Sequence, residues 1–161
     1  MDLNQVRAFA VTAHGDQMYD EHPYEHHLSA VASIISGWTE DSELIAAAWL
    51  HDTLEDTAVT FDDLAETFTP RVASLVWAVT AEGEVRVEKM NAIYRKIEAL
   101  PDAALVKLAD RVANVEAAPA GSRHQARYAA EHERFGQTIR PHVPAEAWAR
   151  MEAAFKAGDL D

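Results

Sequence analysis

The chain has 161 residues, 48% hydrophobic and 25% charged, with no cysteine and a formal net charge of −13. That length and balance fit one globular domain with a sizeable core, and the missing cysteine excludes disulfides, zinc–thiolate sites and thiol catalysis. Acidity of this strength serves solubility, and spread evenly it repels DNA, RNA and anionic membranes, so a phosphate-bearing ligand has to be small and held by local cations.

No apolar run approaches the length of a membrane span. Met1-Asp2-Leu3-Asn4-Gln5 lacks the basic-then-apolar layout of a signal peptide. A cytoplasmic protein is the expectation.

Apolar spacing is helical nearly everywhere. Leu3, Val6, Ala10 and Ala13 predict the first helix. Leu28, Val31, Ala32 and Ile35 predict the second. Leu44, Ile45, Ala48 and Trp49 predict the third, with Ser42 as its N-cap. Thr60-Phe61-Asp62-Asp63 reads as a capping box opening a short helix around Leu64 and Phe68. Thr69-Pro70 places a cap and then proline at the first helical position, ahead of Val72, Leu75, Val76 and Val79. Val85 to Leu100 turns Met90, Ile93, Tyr94 and Ile97 inward. Pro101-Asp102 starts a helix through Leu105, Leu108, Val112 and Val115. Ala117 to Ser122 is a loop, and helices over Arg123–Ile139 and about Ala145–Ala157 complete the set. No segment shows sustained strand alternation. The expected fold is all-α, a single domain over 1–161 of eight or nine helices, with its core over about 6–138. Trp148 and Phe155 read as core residues, with a dimer contact as the lesser alternative.

One segment stands apart. His51-Asp52-Thr53-Leu54-Glu55-Asp56-Thr57 follows the apolar run Leu44 to Leu50. One imidazole and three carboxylates therefore leave the end of a buried helix, which is costly unless a cation compensates them. Adjacent His51 and Asp52 can reach one cation only near a helix end. A second polar pair, Asp110 and Asn114, lies four apart inside the apolar Val106-Lys107-Leu108-Ala109-Asp110-Arg111-Val112-Ala113-Asn114. A third piece, Pro23-Tyr24-Glu25-His26-His27, opens the second helix with His27 on the Val31 and Ile34 side. Singly, each has a plainer reading: a helix-end salt bridge, a surface Asp110–Arg111 pair, a solvated helix start. Together, His27, His51, Asp52 and Asp110 supply two imidazoles and two carboxylates, a set that suits Mn, Fe, Co, Ni or Zn better than Ca or Mg. His124, His132 and His142 read as surface residues. No glycine pattern cradles phosphate.

With Ala13-His14-Gly15-Asp16-Gln17 and Ala78-Val79-Thr80, these motifs resemble the HD phosphohydrolase superfamily, in particular the alarmone-hydrolase branch of the RelA/SpoT family. The resemblance runs from about Val6 to Thr138. It implies an HD-type helical bundle with one Mn²⁺ on His27, His51, Asp52 and Asp110. Glu55 and Asp56 would then act on the attacking water, and Asn114 would hold the substrate near its ribose. Arg111, Lys107 and His14 are further candidates for substrate contact. The implied reaction removes the 3′-pyrophosphate of ppGpp or pppGpp, giving GDP or GTP and pyrophosphate. Another phosphorylated nucleotide, adenosine alarmones included, is the alternative substrate. A homodimer and an alarmone synthetase are the protein partners this reading allows, the latter in an antitoxin-like role.

The chain departs from that family in Met18-Tyr19-Asp20-Glu21-His22, which is acidic where relatives carry a basic cluster. Discrimination between guanine and adenine alarmones weaker than in family members that carry those basic residues is the resulting expectation. Arg86, Lys89, Arg95 and Lys107 are the nearest cations by chain position for the distal phosphates.

Overall fold

The computed structural model describes residues 1–157. It contains helices α1 (Leu3–His14), α2 (Glu25–Ser36), α3 (Ser42–Leu50), α4 (Thr53–Asp56), α5 (Phe61–Thr67), α6 (Pro70–Val79), α7 (Arg86–Ala99), α8 (Ala103–Ala117), α9 (Arg123–Ile139) and α10 (Ala145–Ala157), with a 3₁₀ turn at Arg140–His142. The all-α expectation holds, α4 being one turn beside nine longer helices among the described residues. The expected domain runs on to 161, and 158–161 lie outside the described residues. No helix among the described residues is long and apolar enough to cross a membrane.

Helix starts follow their capping chemistry. Thr60 and Asp63 form the reciprocal capping box, and Thr69 caps α6 ahead of Pro70. The cap of α3 is Asp41 rather than Ser42. Its carboxylate accepts from the Glu43 and Leu44 amides, and it can do so because it stands one residue outside the helix. In α1 the inward line runs Val6, Ala10, His14, with Ala13 only half-buried.

α8 is the axis of the fold. It packs against α2, α3, α6, α9 and α10, and only Lys107, Asn114, Glu116 and Ala117 along it escape full burial. A helix covered on nearly all sides is apolar on nearly all sides. Asp110 is therefore a carboxylate carried into the protein's centre. Outside it, α10 lays Trp148 into the core, 5% exposed. The Trp148 indole stacks on His132 and on Phe135, with ring centroids 5.2 and 6.3 Å away. His132 is thus half-buried between Trp148 and Phe155, not a surface residue, and burial lowers its pKa.

Two features shape the site. A minimal hairpin pairs β1 (Met18–Tyr19) with β2 (His22–Pro23), Tyr19 facing His22. Two-residue strands leave no alternation to read. The second feature is the break between α3 and α4. His51 keeps helical angles, but Asp52 sits at φ −100°, ψ −1°. The Thr53 hydroxyl, fully buried, donates to the Leu50 carbonyl at 2.7 Å, satisfying a group the ended helix leaves free. The bend lets adjacent side chains converge: His51 Nε2 lies 3.0 Å from Asp52 Oδ2. Thr53→Val should lower unfolding free energy by about 1–3 kcal/mol, because a buried carbonyl loses its donor. Denaturant titration reads this, and an unchanged midpoint would mean the bend does not depend on that bond.

Candidate metal centre and active site

Three helices meet at four side chains. α2 supplies His27, the α3–α4 junction supplies His51 and Asp52, and α8 supplies Asp110. The two Nε2 atoms are 3.2 Å apart. Asp110 Oδ1 lies 3.3 Å from His27 Nε2 and 3.6 Å from His51 Nε2. Asp52 Oδ2 lies 3.9 Å from His27 Nε2. His27, His51 and Asp52 form a group able to hold a metal ion, and Asp110 Oδ1, carried on α8, approaches both imidazole nitrogens of that group. His26, next to His27, is exposed and stacks on His22 instead.

The donor atoms are oriented from behind. His51 Nδ1 is 2.8 Å from the Ala48 carbonyl. It therefore carries the proton in the neutral ring and leaves Nε2 with a free lone pair, the usual second partner of a ligating imidazole. Tyr24 donates its hydroxyl to Asp52 Oδ2 at 2.5 Å. Lys107 holds Asp110 Oδ2 at 2.7 Å, and the Asn114 amide donates to Asp110 Oδ1 at 2.6 Å. Two nitrogens and two carboxylates, preset this way, fit a divalent cation of the transition series.

The charges are coupled. Burial opposes a charged His51, yet the Asp52 and Asp110 carboxylates outweigh it and raise its pKa to about 9. Burial likewise opposes the Asp52 anion, and His51 and the Tyr24 hydroxyl reverse this, holding it at about 2. Asp110 is also pushed well below the ordinary carboxylate range. Burial works against its charge, and Lys107 with the two histidines overcomes it. Burial and the same carboxylates drive the Tyr24 phenol upward, so it remains a donor.

A cavity of about 410 Å³ opens over these groups, with Glu55, Asp56, Lys107 and Asn114 in its wall. Glu55 Oε2 accepts from the Ala81 amide at 2.9 Å. Arg86 and Lys89 also line it, whereas Arg95 is exposed elsewhere. Arg86 is already engaged by Glu131 and Lys107 by Asp110. Among the described residues, Lys89 and Arg127 are the wall cations with no carboxylate partner. Arg127 was not legible in the sequence, since it stands on an exposed stretch of α9 far along the chain.

Two sequence-derived contacts are corrected. Arg111 is 3% exposed and faces α9. Its guanidinium lies 4.4 Å from the Phe135 ring centroid and donates to Glu131 at 2.8 Å. One step along a helix turns a side chain by roughly 100°, which takes Arg111 off the Asp110 face. His14 is buried behind Tyr24, stacked on its ring at 4.6 Å, and is not part of the cavity wall. It acts at one remove: Nδ1 lies 2.9 Å from Gln17 Oε1, and Gln17 Nε2 donates to Asp56 Oδ2 at 2.8 Å. Since the amide nitrogen faces Asp56, its oxygen faces His14, and His14 Nδ1 carries the proton.

This arrangement of an adjacent histidine and aspartate, a helix-borne histidine and a distant aspartate is that of the HD domain. The chain belongs to the HD domain family, whose model matches residues 6–135, and such hydrolases bind a divalent metal. It is 38% identical over 121 residues to guanosine-3′,5′-bis(diphosphate) 3′-pyrophosphohydrolase of Aquifex aeolicus, covering 71% of this chain but 17% of that protein. It is 38% identical over 116 residues to the Danio rerio 3′-pyrophosphohydrolase MESH1, covering 66% of this chain and 63% of that one. The fold is shared with a solved metazoan ortholog of SpoT, described as hydrolysing ppGpp and acting in starvation responses. The TM-score is 0.81 at 24% identity, over 98% of this chain and 96% of the other.

Two expectations follow from the geometry. In the metal-free protein, protonated His51 contributes stability that is complete below about 6.5 and is lost as pH rises through about 9. A divalent cation replaces that proton, so the rise in Tm on adding cation should grow between those two pH values. A rise that shrinks over that interval would place the cation elsewhere. Gln17→Ala should leave cation binding intact while lowering kcat about tenfold or more through a misdirected Asp56. An unchanged kcat would make the His14–Gln17–Asp56 chain merely structural.

Proposed function

We propose that this protein is a Mn²⁺-dependent hydrolase that removes the 3′-pyrophosphate of ppGpp and pppGpp, yielding GDP or GTP and pyrophosphate. One observation carries this reading: two imidazoles and two carboxylates converge beneath a cavity whose wall holds two further carboxylates and two uncompensated cations. The names of the Aquifex and Danio relatives support the substrate class. His27, His51, Asp52 and Asp110 would hold the ion. When bound, a divalent cation supplies Lewis acidity toward a phosphate oxygen and toward water.

The remaining chemistry belongs to the side chains. Asp56 has one oxygen taken by Gln17, which leaves the other to accept a proton from the attacking water. Glu55 is aimed by the Ala81 amide and orients that water. Lys89 and Arg127 draw the phosphates into an otherwise acidic protein. Tyr19 donates to Asn114 Oδ1 at 3.0 Å, fixing the amide beside the position assigned to the ribose. Attack on the phosphorus bonded to the ribose 3′ oxygen would break that P–O bond and release pyrophosphate as a unit.

The test is product analysis of ppGpp incubated with Mn²⁺-loaded protein. Pyrophosphate and GDP are expected, and stepwise orthophosphate release would contradict the proposal. The same assay on other phosphorylated nucleotides separates the second reading, an HD hydrolase of different substrate. Glu55→Ala and Asp56→Ala should retain the metal and lose about 10²–10⁴-fold in turnover. Asp110→Ala should lose metal, and full occupancy in that variant would dismiss this ligand set. His26→Ala should have little effect on either.

A further inference from the structure

We infer that Lys96 is a positioning residue that aims Glu55 at the attacking water through a single peptide group, an inference that rests on the role given to Glu55 above. Lys96 stands on α7 and is 6% exposed. A lysine leaves water only where other groups take its three N–H donors, and here all three are taken. Nζ lies 3.1 Å from the Trp77 carbonyl, 2.9 Å from the Thr80 carbonyl and 2.9 Å from Glu82 Oε1. It also sits 4.4 Å from the centroid of the Trp77 ring.

A cation at the end of a helix answers the partial negative charge there, and the Trp77 carbonyl within α6 is explained by that alone. Thr80 is different. It ends the Ala78-Val79-Thr80 motif, and its ψ of 132° has left the helix. Its carbonyl is therefore not aimed by the helical ladder, and Lys96 is what holds it.

The Thr80 carbonyl and the Ala81 amide are two ends of one peptide group. That group is planar and trans, so its C=O and N–H point in opposite directions. Lys96 grips the oxygen end. The nitrogen end donates to Glu55 Oε2 at 2.9 Å. Neither end can turn without the other. Glu55 depends on this bridge, because it is exposed on the one-turn helix α4. Among the described residues, the Ala81 amide is the hydrogen-bond partner that fixes its carboxylate. Without Lys96 the Thr80 carbonyl turns toward water for a donor and carries the Ala81 N–H off Glu55. The cation on the oxygen also polarises the peptide group and strengthens its donation. Lys96 does not line the reaction cavity and acts only through this plane.

The first readout needs no turnover. In the full chain loaded with diamagnetic Zn²⁺, Lys96→Met should move the Ala81 amide proton upfield, toward its position in Glu55→Ala. The second readout is kinetic. Lys96→Met should retain the metal and lower kcat on ppGpp about tenfold while KM stays within about twofold, since a misaimed group costs rate rather than binding. Added to Glu55→Ala, the same change should cost less than about twofold, because residues that act through one group are not additive. Lys96→Arg keeps the cation and its donors and should recover most of the lost kcat. Thermal melting checks that each variant folds. If Lys96→Met does not, Lys96→Gln, neutral and shorter, should move the same readouts in the same direction. An Ala81 resonance unmoved by loss of the cation, or a loss of kcat equal with and without Glu55, would overturn the inference and leave Lys96 as a helix cap. If ppGpp is not cleaved at all, the proposed reaction fails, and the Ala81 resonance alone decides whether Lys96 is coupled to Glu55.

Discussion

The structure depends on compensating two carboxylates that the fold carries inward. Asp110 rides on the central helix, and Asp52 stands where α3 breaks. Unpaired, either would cost several kcal/mol of desolvation. Each is instead divided between partners. One oxygen of Asp110 is held by Lys107 and the other faces the histidines. Asp52 is shared between Tyr24 and His51. In the metal-free chain a proton on His51 supplies the missing positive charge. The same geometry accepts a divalent ion in its place, so the pairing that stabilises the core also prepares the site.

Much of the outer structure serves to orient those groups. At the break around Asp52 the Thr53 hydroxyl satisfies the Leu50 carbonyl. The hairpin brings Tyr19 over His27, ring to ring at 4.7 Å, and the Tyr24 hydroxyl onto Asp52. His14, buried behind Tyr24, reaches Asp56 through Gln17. Residues that touch no reacting atom thus set the aim of those that would.

What the sequence revealed follows from the physics of helices. The nine helices longer than a single turn among the described residues were legible because α-helical apolar spacing and caps are local signals. The convergence of His51, Asp52 and Asp110 was legible because a carboxylate at the end of a buried helix, or inside an apolar one, calls for a partner. Arg111 misled because sequence adjacency to Asp110 says nothing about helix face. The hairpin is too short for alternation, so its existence could not be read. Arg127 was invisible for a different reason: its approach to the cavity depends on how α9 returns across α8.

The central claim is that His27 and His51, with Asp52 and Asp110, form a single cation site. Pulsed electron paramagnetic resonance of the protein titrated with Mn²⁺ tests it most directly, since imidazole nitrogens coupled to the ion are counted without reference to activity. The account predicts one tightly bound ion coupled to two histidine nitrogens, one coupling disappearing in His27→Gln and both persisting in His26→Gln. A bound ion without nitrogen coupling, or a coupling that disappears with His26 instead, would contradict it.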